Sequence, residues 1–197
     1  MMVWYVARGA GLAALLLLTI STAMGALISD RGRPSTRVVV QYVHRVAGGL
    51  GLGLLALHIG TILADPWAKV GVTGALVPLT SSFRATWVAL GSMAAYTFLL
   101  ITVLGFARGR MASSPRAAKV WRGVHALAYV GWAGSMMHGL KSGTDSSVGW
   151  VRWIYLGCAV AVIGSVVARC ATLARPRPLV GTTAPAPTRE YATAVAR

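Results

Sequence analysis

Five long apolar segments constrain the fold of this 197-residue chain. Charged residues make up only 12% of the sequence, against about a quarter in soluble domains, and all four acidic residues fall outside the segments. At about 20 residues per crossing, each segment is long enough to span a hydrocarbon layer roughly 30 Å thick. The pattern predicts an all-α integral membrane bundle of about five transmembrane helices. The segments cover about residues 3–28, 38–64, 85–107, 118–140 and 149–172.

The basic residues predict how this bundle is oriented. They concentrate in the links after the first and third segments and in the C-terminal tail, and the positive-inside rule places such links in the cytoplasm. We therefore expect a multi-pass plasma-membrane protein with its N-terminus outside and its C-terminus cytoplasmic. The net charge of +15 forms no single patch or aromatic-interleaved stripe, so we expect the lipid bilayer as a partner and no nucleic acid.

The ends of the chain and one link complete the organisation. Residues 1–174 are predicted to form the membrane domain, and residues 175–197, rich in Pro, Thr, Ala and Arg, a disordered cytoplasmic tail. An apolar stretch in the link 65–84 is too short to span, so we expect a loop or short helix over the outer face. Segment one also resembles a cleaved signal peptide, but cleavage would place the arginines of the next link outside, against the charge bias.

All four histidines of the chain lie inside predicted membrane segments. His44 and His58 are 14 positions apart in segment two, and His125 and His138 are 13 apart in segment four. Helical rise separates the members of each pair by about 20 Å, so one lies near each membrane face. Both segments are predicted to run from inside to outside, which places His44 level with His125 and His58 level with His138. Ionisable side chains inside a bilayer are rare and mark functional sites.

Two b-type hemes, stacked between helices two and four, are the cofactors that these pairs predict. Neutral imidazole is a common axial ligand of heme iron. His44 and His125 are expected to ligate the inner iron, and His58 and His138 the outer iron. The spacing of 13 does not return to the same helix face, so segment four is expected to tilt, rewind or present its ligands from different flanks. Glycines crowd between the ligands of both segments, which either a flat macrocycle or close helix packing explains.

Cations flank both predicted hemes. Arg45 and Arg122 adjoin the inner histidines, where they are candidate partners for heme propionates. Lys69, Arg84 and Lys141 are placed to serve the outer heme or an anionic acceptor. The alternative for each is a charge that only fixes topology.

The sequence lacks the motifs of other redox cofactors. It contains no Gly-x-Gly-x-x-Gly after a strand and no Cys-x-x-Cys-His attachment site. We therefore expect non-covalent b-type hemes, no flavin or nicotinamide site in this chain, and a separate electron donor and acceptor.

Two stretches resemble the ferric reductase-like transmembrane domain, especially its bacterial, actinobacterial-type members. They are WRGVHALAY from Trp121 and HGLKSGTD from His138, and the resemblance covers about residues 40–172. The superfamily includes NADPH oxidases, ferric reductases and the heme subunit of a periplasmic methionine sulfoxide reductase system. It implies a bis-heme bundle that carries electrons outward. Many members add a C-terminal flavin dehydrogenase, whereas only a short tail follows segment five here.

The leading functional prediction is therefore a membrane diheme b-type cytochrome of this family. It is expected to pass electrons from a separate cytoplasmic or membrane donor, a flavoprotein or quinol, to an extracytoplasmic acceptor such as ferric iron, a flavoprotein or a periplasmic reductase. Whether the chain is itself an enzyme stays open. One alternative is a quinol-linked respiratory cytochrome b subunit. Another is a carrier of heme or metal ions, for which broken helices or mid-membrane carboxylates would be expected.

Overall fold

The computed structural model describes residues 2–28, 34–111 and 114–174, so the predicted tail at 175–197 lies outside the described residues. This part of the chain is all-helical and contains no strand. A single 3₁₀ turn, Pro66–Ala68, precedes the third helix. The helices are α1 (Met2–Leu27), α2 (Pro34–Ala64), α3 (Gly71–Leu76), α4 (Ala85–Phe106), α5 (Arg108–Met111), α6 (Pro115–His125), α7 (Ala128–Ser142) and α8 (Gly149–Ala174).

Four of these helices, α1, α2, α4 and α8, are long and apolar enough to cross a membrane. They correspond to the predicted segments one, two, three and five. Their length and composition indicate a membrane protein.

The predicted fourth segment is divided into two helices instead of forming one. Ser114 caps the start of α6 by accepting a hydrogen bond from the Ala117 amide at 3.1 Å. The division comes at Ala126 and Leu127, which keep right-handed helical backbone angles. There the Leu127 amide bonds to the Val124 carbonyl at 3.0 Å, a bond of the 3₁₀ type. The two helices are thus joined by a locally tightened turn, and both pack against α4.

Helix α1 lies at the centre of the bundle. It packs against α2, α7 and α8, and small residues such as Ala7, Ala10 and Ala14 are buried along it, which allows close approach of neighbouring helices. Trp132 of α7 donates its indole N–H to the Thr19 hydroxyl at 2.9 Å inside this core. The core cluster consists of Leu15, Leu18, Ala23, Ala94, Phe98, Ile101, Trp132, Met136, Cys158 and Val162.

Helix α2 contributes little to that core. Ala47 and Gly51 are its buried residues, and it packs mainly along α1. Helices α2 and α7 do not form a packed interface like those of α1 with α2 or α4 with α7. A cleft is therefore left between the two parts of the chain that carry the histidines.

The link 65–84 contains the short helix α3, which packs on α4. Ser92 of α4 donates its hydroxyl to the Ala75 carbonyl at 2.6 Å, and the Tyr96 hydroxyl donates to the Leu76 carbonyl. These bonds hold α3 against the end of the bundle that carries His58 and His138.

Candidate functional site

The structure brings the four histidines together in two pairs. The ring centroids of His44 and His125 are 6.0 Å apart, and those of His58 and His138 are 6.3 Å apart. We call the first the inner pair and the second the outer pair, after the predicted orientation. Two imidazoles that bind one metal from opposite sides, with metal–nitrogen distances of about 2 Å, have ring centroids about 6 Å apart. Both pairs have the separation that axial ligation of one iron requires.

Backbone carbonyls of neighbouring helices orient three of the four rings. A carbonyl oxygen can only accept a hydrogen bond, so in these neutral imidazoles Nδ1 carries the proton and the Nε2 lone pair is free. Histidines that bind metals commonly donate their other ring N–H in this way. The three bonds are His44 Nδ1 to Ser21 O at 2.8 Å, His58 Nδ1 to Ala7 O at 2.7 Å, and His138 Nδ1 to Trp87 O at 2.8 Å.

His125 is held differently. Its Nδ1 is buried and makes no hydrogen bond within the described residues, although the Ile101 carbonyl lies near it. The imidazole instead stacks on the Trp121 indole, with centroids 4.9 Å apart and planes 15° apart. Trp121 is fixed by its own N–H bond to the Leu104 carbonyl at 3.0 Å, and the Arg108 guanidinium lies 5.1 Å from the indole centroid. Aromatic stacking thus replaces the carbonyl anchor at this position.

Glycines on α1 and α4 allow the imidazoles to lie directly on the helix backbone. The carbonyls that face the four histidines belong to Ala7, Ser21, Trp87 and Ile101. In each case the residue four positions later, one helical turn on, is a glycine. Side chains at three of these glycines would collide with, or crowd, a histidine ring. A Cβ would lie 2.8 Å from His58 at Gly11, 3.2 Å from His44 at Gly25 and 2.7 Å from His138 at Gly91, whereas at Gly105 it would meet nothing within 4 Å.

The sequence prediction missed these four glycines and emphasised those between the ligands. Gly48 and Gly51 pack on α1, and Gly131 packs on α4, so ordinary helix packing accounts for them. A Cβ at Gly49 or Gly53 would meet nothing within 4 Å. A signal for the missed set was present, since Gly11 and Gly25, like Gly91 and Gly105, have the same 14-residue spacing as His44 and His58.

The joint between α6 and α7 changes the rotation around the helix axis between His125 and His138, which are 13 positions apart. In a regular helix His125 and His138 would differ by about 140° around the axis. The tightened turn follows His125 directly, and a 3₁₀ residue advances about 20° more than an α-helical one. Segment four is therefore locally tightened beside His125, and the turn covers only part of the rotation.

An open cavity lies between the rings of the outer pair. Both His58 and His138 line it. Its walls are mainly apolar and come from α1, α2, α4, α7 and α8, with Leu12, Leu55, Val88 and Phe98 among the lining residues. Such walls suit a ligand with apolar faces.

One end of this cavity is polar. Arg8 and Asp145, which form an ion pair, both line it, as do Ser142 and Thr144. Arg8 Nε and Ser142 Oγ are buried without a hydrogen-bond partner. The cavity thus joins apolar walls to unpaired hydrogen-bond donors, which is the arrangement that a macrocycle with carboxylate side chains needs.

Five cations were predicted from the sequence to flank the two hemes. Arg45 and Arg122 are exposed and make no ion pair or side-chain hydrogen bond within the described residues. Lys141 lies over the Trp87 ring at 5.8 Å, and the Arg84 guanidinium donates to the Lys141 carbonyl. The three cations predicted for the outer heme do not line the cavity, and the exposed Lys69 borders a separate hollow.

Arg8 is the cavity cation that sequence analysis missed. The charge pattern alone assigns it to topology, although it is a charged residue inside an apolar segment. That position is the signal that could have identified it.

Protein ligands alone do not form a closed metal site in the described part of the chain. No group of three or more His, Cys, Asp or Glu side chains there is arranged to hold a metal ion. A structural zinc site needs about four such ligands, whereas a heme iron needs axial ligands only. Two imidazoles per level therefore fit a porphyrin better than a bare ion.

Comparisons of the chain with known protein families, curated proteins and solved structures find no match.

Proposed function

We propose that this chain is a membrane diheme b-type cytochrome that transfers electrons from a separate donor to an extracytoplasmic acceptor. One observation carries the proposal: two histidine pairs, with ring centroids 6.0 and 6.3 Å apart, lie at two levels of one helical bundle. One close pair alone could equally be two hydrogen-bonded core histidines. Two pairs that use all four histidines of the chain are best explained by two stacked cofactors.

The residues around the pairs have distinct tasks in this proposal. Heme bound between each pair supplies a one-electron iron couple whose potential the protein tunes. The carbonyls of Ala7, Ser21 and Trp87 keep the Nε2 atoms of their histidines unprotonated and directed away from the anchoring helices. The cavity walls at the outer level are mainly apolar, so a heme bound there would shield the metal ligands from water.

In this proposal α6 and α7 together form a fifth membrane crossing. Their histidines meet those of α2 in the same order, since His125 lies by His44 and His138 by His58. The two parts of the chain are therefore parallel and cover the same depth. With the basic links in the cytoplasm, the outer pair lies near the extracytoplasmic face.

The resemblance of the two sequence stretches to ferric reductase-like domains supports outward electron transfer. On that basis we propose ferric iron, a flavoprotein or a periplasmic reductase as the acceptor. The donor is a separate flavoprotein or a quinol. Plasma-membrane localisation, with the N-terminus outside, belongs to the same proposal.

The division between α6 and α7 is a feature that a carrier would also have. It adjoins His125, however, and the described acidic residues, Asp65 and Asp145, lie outside the four long helices. The tightened turn also keeps its backbone hydrogen bonds. These observations favour a ligand-orienting joint over a transport pathway.

Reduced-minus-oxidised spectra with heme quantification of the purified chain test the proposal. We expect two b-type hemes per chain in the wild type. His58→Ala and His138→Ala should each remove the same heme, and His44→Ala and His125→Ala the other. Wild-type protein that saturates with one heme, or four variants that all keep both hemes, would overturn the assignment. Reduction by a quinol alone, or by a flavoprotein alone, then identifies the donor.

A further inference from the structure

We infer that Arg8 and Ser142 bind carboxylate groups of the outer heme and that the Arg8–Asp145 ion pair sets the redox potential of that heme. The inference rests on the proposed function. It assigns binding and tuning roles to three residues for which the sequence analysis predicted no site role.

Arg8 and Asp145 lie close to the two outer ligands along the chain and in space. Arg8 directly follows Ala7, whose carbonyl anchors His58 at 2.7 Å. Asp145 lies in the loop that leaves α7 shortly after His138. Both side chains line the cavity between His58 and His138, and they form an ion pair with each other. A charge on either residue therefore acts directly on a ligand held there.

Unpaired donors mark this end of the cavity as a binding site. The described residues contain three buried side-chain N or O atoms without a hydrogen-bond partner: Arg8 Nε, Ser142 Oγ and His125 Nδ1. All three belong to the two histidine sites, and two of them line this one cavity. Buried polar groups are nearly always paired, so such groups call for a missing partner. An N–H and an O–H donor beside a guanidinium fit a carboxylate.

The loop that carries Asp145 is firmly held. The Ser146 hydroxyl bonds to the Gly143 carbonyl at 3.1 Å, and the Val148 amide bonds to the Asp145 carbonyl at 2.9 Å. Arg152 adds a bond from its Nε to the Ser146 carbonyl at 3.3 Å. Asp145 is thus held beside Arg8, and the ion pair uses Arg8 Nη2 and leaves Nε without a hydrogen-bond partner.

The two charges act on the iron in opposite directions. Oxidation of the iron adds one positive charge, which a nearby cation disfavours and a nearby anion favours. Arg8 therefore raises the potential of the outer heme and Asp145 lowers it. The other cations at this end, Arg84 and Lys141, contact the Lys141 carbonyl and the Trp87 ring instead of the cavity.

Redox titration of both hemes in the purified full chain tests the inference. We expect a lower outer-heme potential in Arg8→Gln, a higher one in Asp145→Asn, and a nearly wild-type one in the double variant. Arg8→Lys keeps the charge and should keep the potential. The inner-heme potential should stay constant throughout, and Lys69→Gln, which removes an outer-face charge away from the cavity, should change neither.

Heme retention tests the hydrogen bonds separately from the charge. Ser142→Ala should speed the transfer of the outer heme to an excess of apomyoglobin without a matching shift in potential. If Arg8→Gln loses the outer heme, that loss supports the anchoring role, and Asp145→Asn and Arg8→Lys still report on the potential. The inference would be overturned if the outer-heme potential stays constant in both Arg8→Gln and Asp145→Asn, or shifts in the same direction in both. The proposed function would still stand in that case, provided that the protein binds two hemes. Wild-type protein without heme would overturn the proposed function itself.

Discussion

The outer and inner histidine pairs have nearly the same ring separation but are held by different means. In the outer pair, His58 and His138 both donate to backbone carbonyls and both lie against glycines. In the inner pair only His44 has this arrangement, while His125 stacks on Trp121. Nearly the same ring separation is thus produced once by helix backbones alone and once by a backbone and an aromatic side chain.

The difference follows from where the chain is regular. His58, His138 and His44 lie against the continuous helices α1 and α4, whose carbonyls repeat at fixed intervals. His125 lies at the end of α6, just before the tightened turn, and its Nδ1 makes no hydrogen bond within the described residues. We therefore expect the outer site to be sensitive to added side chains on α4 and the inner site to depend on Trp121.

Gly91→Ala is expected to have the largest effect, and Gly105→Ala is its matched control. The two glycines lie on the same helix, one turn after Trp87 and Ile101 respectively. A Cβ at residue 91 lies 2.7 Å from His138 Nδ1, whereas one at residue 105 meets nothing within 4 Å. Overpacking of this kind costs about 1–3 kcal/mol, so outer-heme binding should weaken by roughly 5- to 150-fold in Gly91→Ala. Gly105→Ala should keep both hemes. Heme content and release rates measure both.

The outcome that contradicts this comparison is equal heme retention in the two variants. Such a result would mean that His138 does not need to lie on the α4 backbone. Loss of the inner heme in Gly105→Ala would show that His125 approaches α4 more closely than the structure places it.

Much of this arrangement could be predicted from the sequence because it follows from helix periodicity. The spacing of His44 and His58 fixes their separation along one helix, and the parallel course of α2 and α6–α7 pairs each with its partner. The roles of Arg8 and of the anchoring glycines could not be predicted in this way. They depend on which face of α1 and α4 meets the histidines, which is decided by tertiary packing and not by the pattern within either segment.

The division of segment four was also beyond a hydropathy argument. Residues 118–140 are apolar enough overall to be read as one span, and nothing at Ala126 or Leu127 is a helix-breaking residue. The local tightening keeps helical backbone angles, so it changes the rotation of the helix and not its hydrophobicity. Only the awkward spacing of 13 indicated that segment four was irregular.

A smaller effect, confined to the inner site, is expected from Trp121→Leu. The substitution removes the ring on which His125 stacks at 4.9 Å, and aromatic pairs contribute about 0.5–1.5 kcal/mol beyond burial. Inner heme should be released roughly 2- to 10-fold faster, with the outer heme unchanged. Trp121→Phe, which keeps a ring but loses the bond to Leu104, should be intermediate. Trp153→Leu, an exposed position on α8, is the control, and equal acceleration of both hemes would contradict the separate anchoring of His125.

The smallest effect is expected from Ser21→Ala, which separates the two contacts that Ser21 makes with the His44 ring. The hydroxyl lies 3.1 Å from Nδ1 and donates to the His44 carbonyl at 3.0 Å, whereas the Ser21 carbonyl lies 2.8 Å from Nδ1. The substitution leaves the Ser21 carbonyl in place. The stabilisation of the His44 ring should therefore fall only by about 0.5–1.5 kcal/mol, the contribution of one neutral hydrogen bond. The inner heme should remain bound, with a slight change in its ferric EPR spectrum.

Thr22→Val, which removes a neighbouring hydroxyl bonded only to the Leu18 carbonyl, should leave the spectrum unchanged. Inner-heme loss in Ser21→Ala as severe as in His44→Ala would show that the hydroxyl, and not the backbone, anchors His44, and the inner site would then rely on side chains at both of its ligands.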